Sequence, residues 1–388
     1  MSPVVPDYRG GSIVNLMASI GAALDGGQTG YPTLDPALCP DLGRARTILL
    51  LVIDGLGERW LQRHAGGSLL AAHLRGRLTS VCPSTTASAI PAFLTGVAPQ
   101  QHGFTGWFTW FAELGAQLTV LPFQLRLGGL AVPPGLLSPA DLSGAGPFAD
   151  RLPVPAHLLM PEWLAASRFN LAFSGAAEIS GYNGLPDLCR QIVRLARAGD
   201  GRRFLHAYWP GYDAIAHEHG AHSTAAEVHF QELDGFFARL LDGLAGSGTA
   251  LLVTADHGFV DTTAESRLYL ERHPRLERML TMPLCGEPRL AFCYVDAERR
   301  PEFERYLEEH LSHAVRVLPS RWLLEEGWFG LGRPHPQLHR RIGDYALLLR
   351  HNFSLTGRIP GERRLRHVGV HGGVSEDEMY VPLVYALP

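Results

Sequence analysis

Residues Thr47–Gly55 read Thr-Ile-Leu-Leu-Leu-Val-Ile-Asp-Gly: an unbroken apolar run that ends on a carboxylate and a glycine. Such a run is the pattern of a strand buried on both faces of a parallel sheet. An acid at its C-terminal end stands at the edge where open α/β sheets place their chemistry. The pattern returns as Ala250-Leu-Leu-Val-Thr-Ala-Asp256-His257-Gly258. Two strand ends alone supply too few side chains for a dinuclear metal site, so the remaining ligands must come from other strand ends.

Composition narrows the class. The chain has 388 residues, 46% hydrophobic and 19% charged, which fits a soluble globular protein. A formal net charge of -4 gives no bulk attraction for a nucleic-acid polymer or a membrane surface. Cys39, Cys82, Cys189, Cys285 and Cys293 are odd in number and scattered, with no CxxC pair, which argues against a disulfide framework or a thiolate zinc cluster. The opening Met1–Arg9 lacks a basic segment followed by an apolar run, and no stretch is long enough to span a bilayer. The cytoplasm is the expected location. Nothing in the sequence sets the oligomeric state.

The spacing of apolar residues predicts helices over 12–24, 58–65, 186–198, 223–244, 299–312 and 320–327, and strands over 47–54, 78–81, 170–174, 203–209, 250–255, 289–295, 314–318 and 344–350. Strand 203–209, helix 223–244 and strand 250–255 make a βαβ unit, hence a parallel sheet. After 78–81 come Pro83 and a cluster of hydroxyls, a turn signal. Small residues from Thr86 then open a helix that Gly96 closes. Aromatics alternating with polar residues over 105–130 predict hairpins, and the Pro- and Gly-rich 131–165 reads as irregular. A single domain spanning 1–388 is expected, with cap or insert segments at 105–165 and 285–360.

Acids and imidazoles at strand ends form a candidate set: Asp54, Asp213, His217, Asp256, His257 and His371. Asp213 and His217 are spaced i, i+4, so one helical turn lets both face a common ion. The adjacent Asp256 and His257 either serve two ions or grip one through a bent backbone. Mixed carboxylate and imidazole sets suit zinc, with manganese or iron as alternatives. Two such ions clamp the attacking and leaving oxygens in phosphoryl transfer. Singly, each residue has ordinary explanations: Asp54 as a strand-end cap, His371 as a loop histidine. The case rests on the ordered set.

VIDG at 52–55, a Pro-x-x-Thr turn ending in LTG at 94–96, HG at 102–103, D-x-x-x-H at 213–217, ADHG at 255–258 and VHGG at 370–373 together resemble the alkaline phosphatase superfamily, most closely its nucleotide pyrophosphatase/phosphodiesterase branch. The resemblance implies an alkaline phosphatase-like α/β core, a mostly parallel sheet sandwiched by helices. It implies two metal ions, one on Asp213, His217 and His371 and the other on Asp54, Asp256 and His257. It implies a hydroxyl nucleophile that also coordinates the second ion. Thr85 and Thr86 both qualify; the family's count of nine residues back from the threonine of the TG pair, here Thr95, selects Thr86. The same count disfavours a sulfatase, because Cys82 lies four residues too early and no arginine follows in the turn.

Relatives follow the threonine with an aromatic and then Pro-Asn, whereas this chain has Ala87, Ser88 and Ala89. The aromatic wall and the amide are missing from that place, and Trp107, Trp110 or Tyr182 would have to supply a wall from elsewhere. The expected function is a metal-dependent phosphoester hydrolase of the phosphodiesterase type, acting on a small molecule. The alternatives are a phosphomonoesterase, a phosphonate hydrolase similar to phosphonoacetate hydrolase, and a metal-binding scaffold without turnover. His102, His206 and His219 read as structural or solvated.

Overall fold

The computed structural model describes residues 3–26, 28–362 and 366–388. Thr47–Ile53 is a strand with every residue buried. It pairs in parallel with Arg203–Trp209 on one side and Thr249–Thr254 on the other. Its core leucines Leu49, Leu50 and Leu51 are 0–1% exposed; burying each contributes about 1.5–3 kcal/mol. The register sets Ile53 beside Trp209 and Val52 beside Thr254, so the three strands stop together. Whatever follows them is gathered at one sheet edge.

The full sheet has seven strands in the order Leu74–Thr79, Tyr380–Ala386, Thr249–Thr254, Thr47–Ile53, Arg203–Trp209, Ala156–Pro161 and Glu178–Tyr182. Tyr380–Ala386 runs against both its neighbours, and the other pairings are parallel. Helices flank the sheet. Thr224–Leu244 starts on Ser223, whose side chain accepts from the Ala226 N–H, and buries Phe230, Leu233, Phe236, Phe237 and Leu240. Ile13–Ala23 starts on a reciprocal Ser12–Asn15 capping box. Among the described residues no helix is long and apolar enough to cross a membrane.

A second, antiparallel sheet joins two segments far apart in sequence. Its order is Val315–Pro319, Tyr345–Leu349, Leu290–Cys293, Cys285–Gly286, Phe108–Phe111, Ala116–Thr119 and Gln124–Leu125, and Gly286 pairing with Phe108 closes the join. The hairpins expected after residue 105 and the later α/β segment are thus one layer.

Three expectations need correction. The stretch 131–165 is not all irregular: Ala156–Pro161 is a strand of the first sheet, paired on both sides, so that part of the expected 105–165 insert belongs to the core. Its prolines misled the reading, but Pro155 precedes the strand and Pro161 ends it, where proline is tolerated. Residues 170–174 are not a strand but lie largely in the helix Arg168–Phe173, because Ser167 caps it by accepting from the Asn170 N–H at 3.2 Å. The short strand expected at 78–81 is Leu74–Thr79.

Candidate active site

Asp54 follows the first strand directly, and its N–H donates to the Trp209 carbonyl at 2.9 Å. The Tyr208 hydroxyl donates to Asp54 Oδ2, which leaves Oδ1 facing inward. Asp256 and His257 follow Thr249–Thr254. Asp256 Oδ1 accepts from the Gly55 and His257 N–H groups, both at 3.0 Å. His257 sets Nδ1 3.1 Å from the Gly258 carbonyl, which directs Nε2 to within 3.3 Å of Asp54 Oδ1 and 3.5 Å of Asp256 Oδ2. Ligand atoms of Asp54, Asp256 and His257 lie within 4.8 Å of one another. Asp256 and His257 therefore share one group, because the carboxylate folds back onto its own neighbour's N–H.

A second group abuts the first. The helix Gly211–His219 presents Asp213 and His217 one turn apart, with His217 Nε2 3.4 Å from Asp213 Oδ1. His371 comes from the Gly-Gly loop after Gly369–Val370, its Nε2 3.2 Å from His217 Nε2 and 3.8 Å from Asp213 Oδ1. His217 Nδ1 lies 2.9 Å from the Gly369 carbonyl. In both groups the backbone carbonyl fixes the tautomer and frees Nε2, the usual outer support of a ligating histidine. The groups meet where His257 Nε2 stands 4.0 Å from Asp213 Oδ1 and the His257 and His371 rings stack at 3.7 Å.

The electrostatics of this pair of groups call for cations. Burial lifts the Asp54 and Asp213 carboxyls well above the carboxylate range, and neighbouring acids add to it: Asp213 and Asp256 around Asp54, Asp256 and Glu287 around Asp213. Burial pushes His217 down to about 3 and lowers His257 and His371 as well, so these imidazoles are neutral. Asp213 Oδ1 and Asp256 Oδ2 are buried and have no hydrogen-bond partner among the described residues. Orphaned buried carboxylate oxygens beside neutral imidazole nitrogens fit divalent ions, zinc first by donor type.

Thr86 opens the helix Thr86–Thr95, which Gly96 closes at φ +69°. The first N–H groups of a helix have no intrahelical acceptor, so an anion is favoured there. Thr86 Oγ1 lies 3.4 Å from Asp54 Oδ1 and 3.1 Å from His257 Nε2. Thr85, the other candidate, is the N-cap residue and 1% exposed. Cys82 is buried against the second sheet's core.

Other residues at the site escaped the sequence reading. Tyr208 is one; its position at the end of an apolar strand gave no sign. Glu378 is another: its carboxylate accepts from the Gly373 N–H at 2.8 Å and its carbonyl accepts from the Gly258 N–H at 2.8 Å, so one residue ties the His371 and His257 loops together. Arg289 of the second sheet grips that carboxylate with two bonds of 3.0 and 2.9 Å, both partners 0–1% exposed. His367 packs its ring 4.2 Å from that of His217; its place four residues before His371 was the available signal. Glu287 reaches the site from the second sheet. By contrast His102 and His206 are buried within the core and His219 is exposed. Tyr182 packs on Trp209 and donates to the Tyr208 carbonyl.

A mostly parallel sheet whose strand ends gather two carboxylate–histidine groups beside a threonine is the arrangement that the resemblance to the alkaline phosphatase superfamily implies. The profile of the type I phosphodiesterase/nucleotide pyrophosphatase family matches residues 48–121 and 132–373, most of the chain, and the chain belongs to that family of phosphoester hydrolases. No curated protein matches the sequence. Among solved structures the chain is similar to murine ectonucleotide pyrophosphatase/phosphodiesterase 5, at TM-score 0.65 and 15% identity over 88% of each chain. The human form gives TM-score 0.63 and 15% identity over 87% of each chain. Phosphonoacetate hydrolase from Sinorhizobium meliloti 1021 gives TM-score 0.63 and 17% identity, covering 88% of this chain and 90% of that one.

Proposed function

We propose that the chain is a metal-dependent phosphodiesterase with Thr86 as nucleophile and two ion sites, Asp54/Asp256/His257 and Asp213/His217/His371. The observation that carries this reading is the placement of the Thr86 hydroxyl, 3.4 Å from Asp54 Oδ1 and 3.1 Å from His257 Nε2, at the start of a helix. Two bound divalent ions would lower the pKa of a coordinated hydroxyl and offset the negative charge that develops during phosphoryl transfer. The protein's own part is positional. Tyr208 and the Gly55 and His257 N–H groups hold the carboxylates, and the His217 and His257 carbonyl contacts hold the rings. The Thr86 oxygen forms a bond to phosphorus as the ester oxygen leaves. Water then cleaves the phospho-threonine and returns the hydroxyl. The Thr86 and Ala87 N–H groups, ahead of the Ser88 and Ala89 N–H groups that donate to the Thr85 carbonyl, stabilise the phosphoryl oxygens throughout.

The murine relative has also been solved as an inactive threonine-to-alanine form in complex with AMP, which fits a threonine nucleophile. Five unpaired cysteines, four of them buried, fit a reducing compartment such as the cytoplasm. The test couples metal analysis to a screen of phosphodiester, phosphomonoester and phosphonate substrates. Bis-p-nitrophenyl phosphate is expected to turn over at alkaline pH and to stop on chelation. A metal-loaded protein that cleaves none of the three classes would sink the proposal.

A further inference from the structure

Glu287 sits in the turn between Cys285–Gly286 and Leu290–Cys293, where its own N–H donates to the Leu290 carbonyl at 2.9 Å. The turn is pressed against the core: a Cβ on Gly106 would meet the Gly286 backbone at 2.8 Å. A Cβ on Gly372, next to His371, would fall 2.4 Å from Glu287 Cβ, so the second glycine-bearing loop leaves this side chain its space. Glu287 Oε1 accepts from the Trp107 N–H at 2.6 Å, and the Thr85 hydroxyl lies beside the carboxyl. The group is 6% exposed. It bears electrostatically on Asp213. A carboxyl from the second sheet thus stands among the turn that carries Thr86, the loop that carries His371, and Asp213.

No arginine pairs with it among the described residues, and the nearby Arg289 directs its guanidinium to Glu378. Its neighbours are instead two hydrogen-bond donors, the arrangement a carboxylate accepts. Burial raises it to about 7 in the metal-free protein, while the Thr85 hydroxyl and the Trp107 N–H work in the other direction.

We infer that Glu287 is a specificity-determining residue whose charge turns the site against doubly charged phosphoryl groups, so that the substrate is a phosphodiester monoanion and not a monoester or phosphonate dianion. The inference rests on the two-ion reading proposed above. The charge balance explains the sign. Three candidate ligand carboxylates, Asp54, Asp213 and Asp256, leave one surplus positive charge on two divalent ions while the Thr86 hydroxyl keeps its proton, and an ionised Glu287 between its two hydrogen-bond donors cancels it. A monoanion meets a neutral site, whereas a dianion carries one further charge against an unpaired carboxylate. At the separations of neighbouring active-site side chains that extra charge costs roughly tenfold or more in affinity.

The experiment uses the metal-loaded full chain as wild type, Glu287→Gln and Glu287→Asp. One arm measures kcat/KM for p-nitrophenyl phosphate and bis-p-nitrophenyl phosphate; the other measures binding of methyl phosphate and dimethyl phosphate by calorimetry. Glu287→Gln is expected to raise the monoester-to-diester ratio in both arms by about tenfold. Glu287→Asp, which keeps the charge, is expected to hold both ratios within about threefold of wild type. Unchanged ratios in Glu287→Gln would overturn the inference. So would tighter binding of methyl phosphate than dimethyl phosphate by wild type, a result that does not depend on the variant folding. If wild type cleaves neither ester, the hydrolase reading fails, and the binding arm still decides the role of Glu287.

Discussion

The two candidate ion groups are made of different materials. Asp54, Asp256 and His257 stand at the ends of fully buried strands, with side chains 0–3% exposed. Asp213 and His217 sit on a short helix and His371 on a loop, with side chains 10–22% exposed. The first group inherits its geometry from the core, where moving one carboxylate means disturbing a sheet. The second is held by a few local bonds, the His217 contact with the Gly369 carbonyl and the Glu378 grip on the Gly373 N–H. The same donor chemistry therefore comes with unequal rigidity, and the core group should hold its ion harder.

That inequality can be broken or sharpened by experiment. Thr86→Ala removes the proposed nucleophile from the boundary of the core group and leaves the three carboxylate and imidazole side chains of each candidate ion group in place. We expect activity to fall by at least about a thousandfold with metal content unchanged; measured turnover and elemental analysis of one preparation check both halves. Glu378→Gln strikes the tie between the two groups. It leaves the Arg289 guanidinium buried without its counter-charge, which costs roughly 3–5 kcal/mol. Chemical denaturation of the metal-free protein should record that loss, and the His371 group should lose affinity for its ion more than the Asp256 group.

Tyr208→Phe acts on the core group alone by releasing Asp54 Oδ2. Removing such an outer support costs about ten- to a hundredfold in metal affinity or activity. Metal titration should place the loss in the tighter of the two sites. A loss confined to the weaker site would reverse the ranking drawn above.

A further effect concerns pH. Burial raises Glu287 from 4.5 to about 7 in the metal-free fold. A group whose folded pKa is raised contributes stability below its unfolded pKa and loses it as pH rises through the folded value. The penalty is thus absent near pH 4 and complete above pH 7, on the order of 3 kcal/mol. Glu287→Gln should therefore raise the Tm of the metal-free protein by several degrees more at pH 8 than at pH 4.5.

How much of this was legible in the sequence divides along the same line. The core group was legible because continuous apolar runs announce buried strands, and an acid at the end of such a run has one place to go. Asp213 and His217 were legible from i, i+4 spacing on a helix. Glu378 and Glu287 were not. Glu378 works through its backbone carbonyl as much as its carboxylate, and no residue pattern encodes a carbonyl's partner. Glu287 is delivered by a strand of two residues, Cys285–Gly286, whose pairing partner Phe108 lies far back in the chain. The misread 170–174 shows a further limit. A short apolar run does not distinguish helix from strand, and the deciding Ser167 cap lay outside it.

The most direct test of the account is the metal-to-protein ratio of wild type, Asp256→Asn and His217→Ala after exhaustive dialysis against a low zinc concentration. Two separate ion sites predict a ratio near two in wild type and near one in each variant, with the ion left in His217→Ala the more resistant to chelation. A wild-type ratio near zero, or a ratio that stays near two in both variants, would contradict the assignment of these residues to two metal sites.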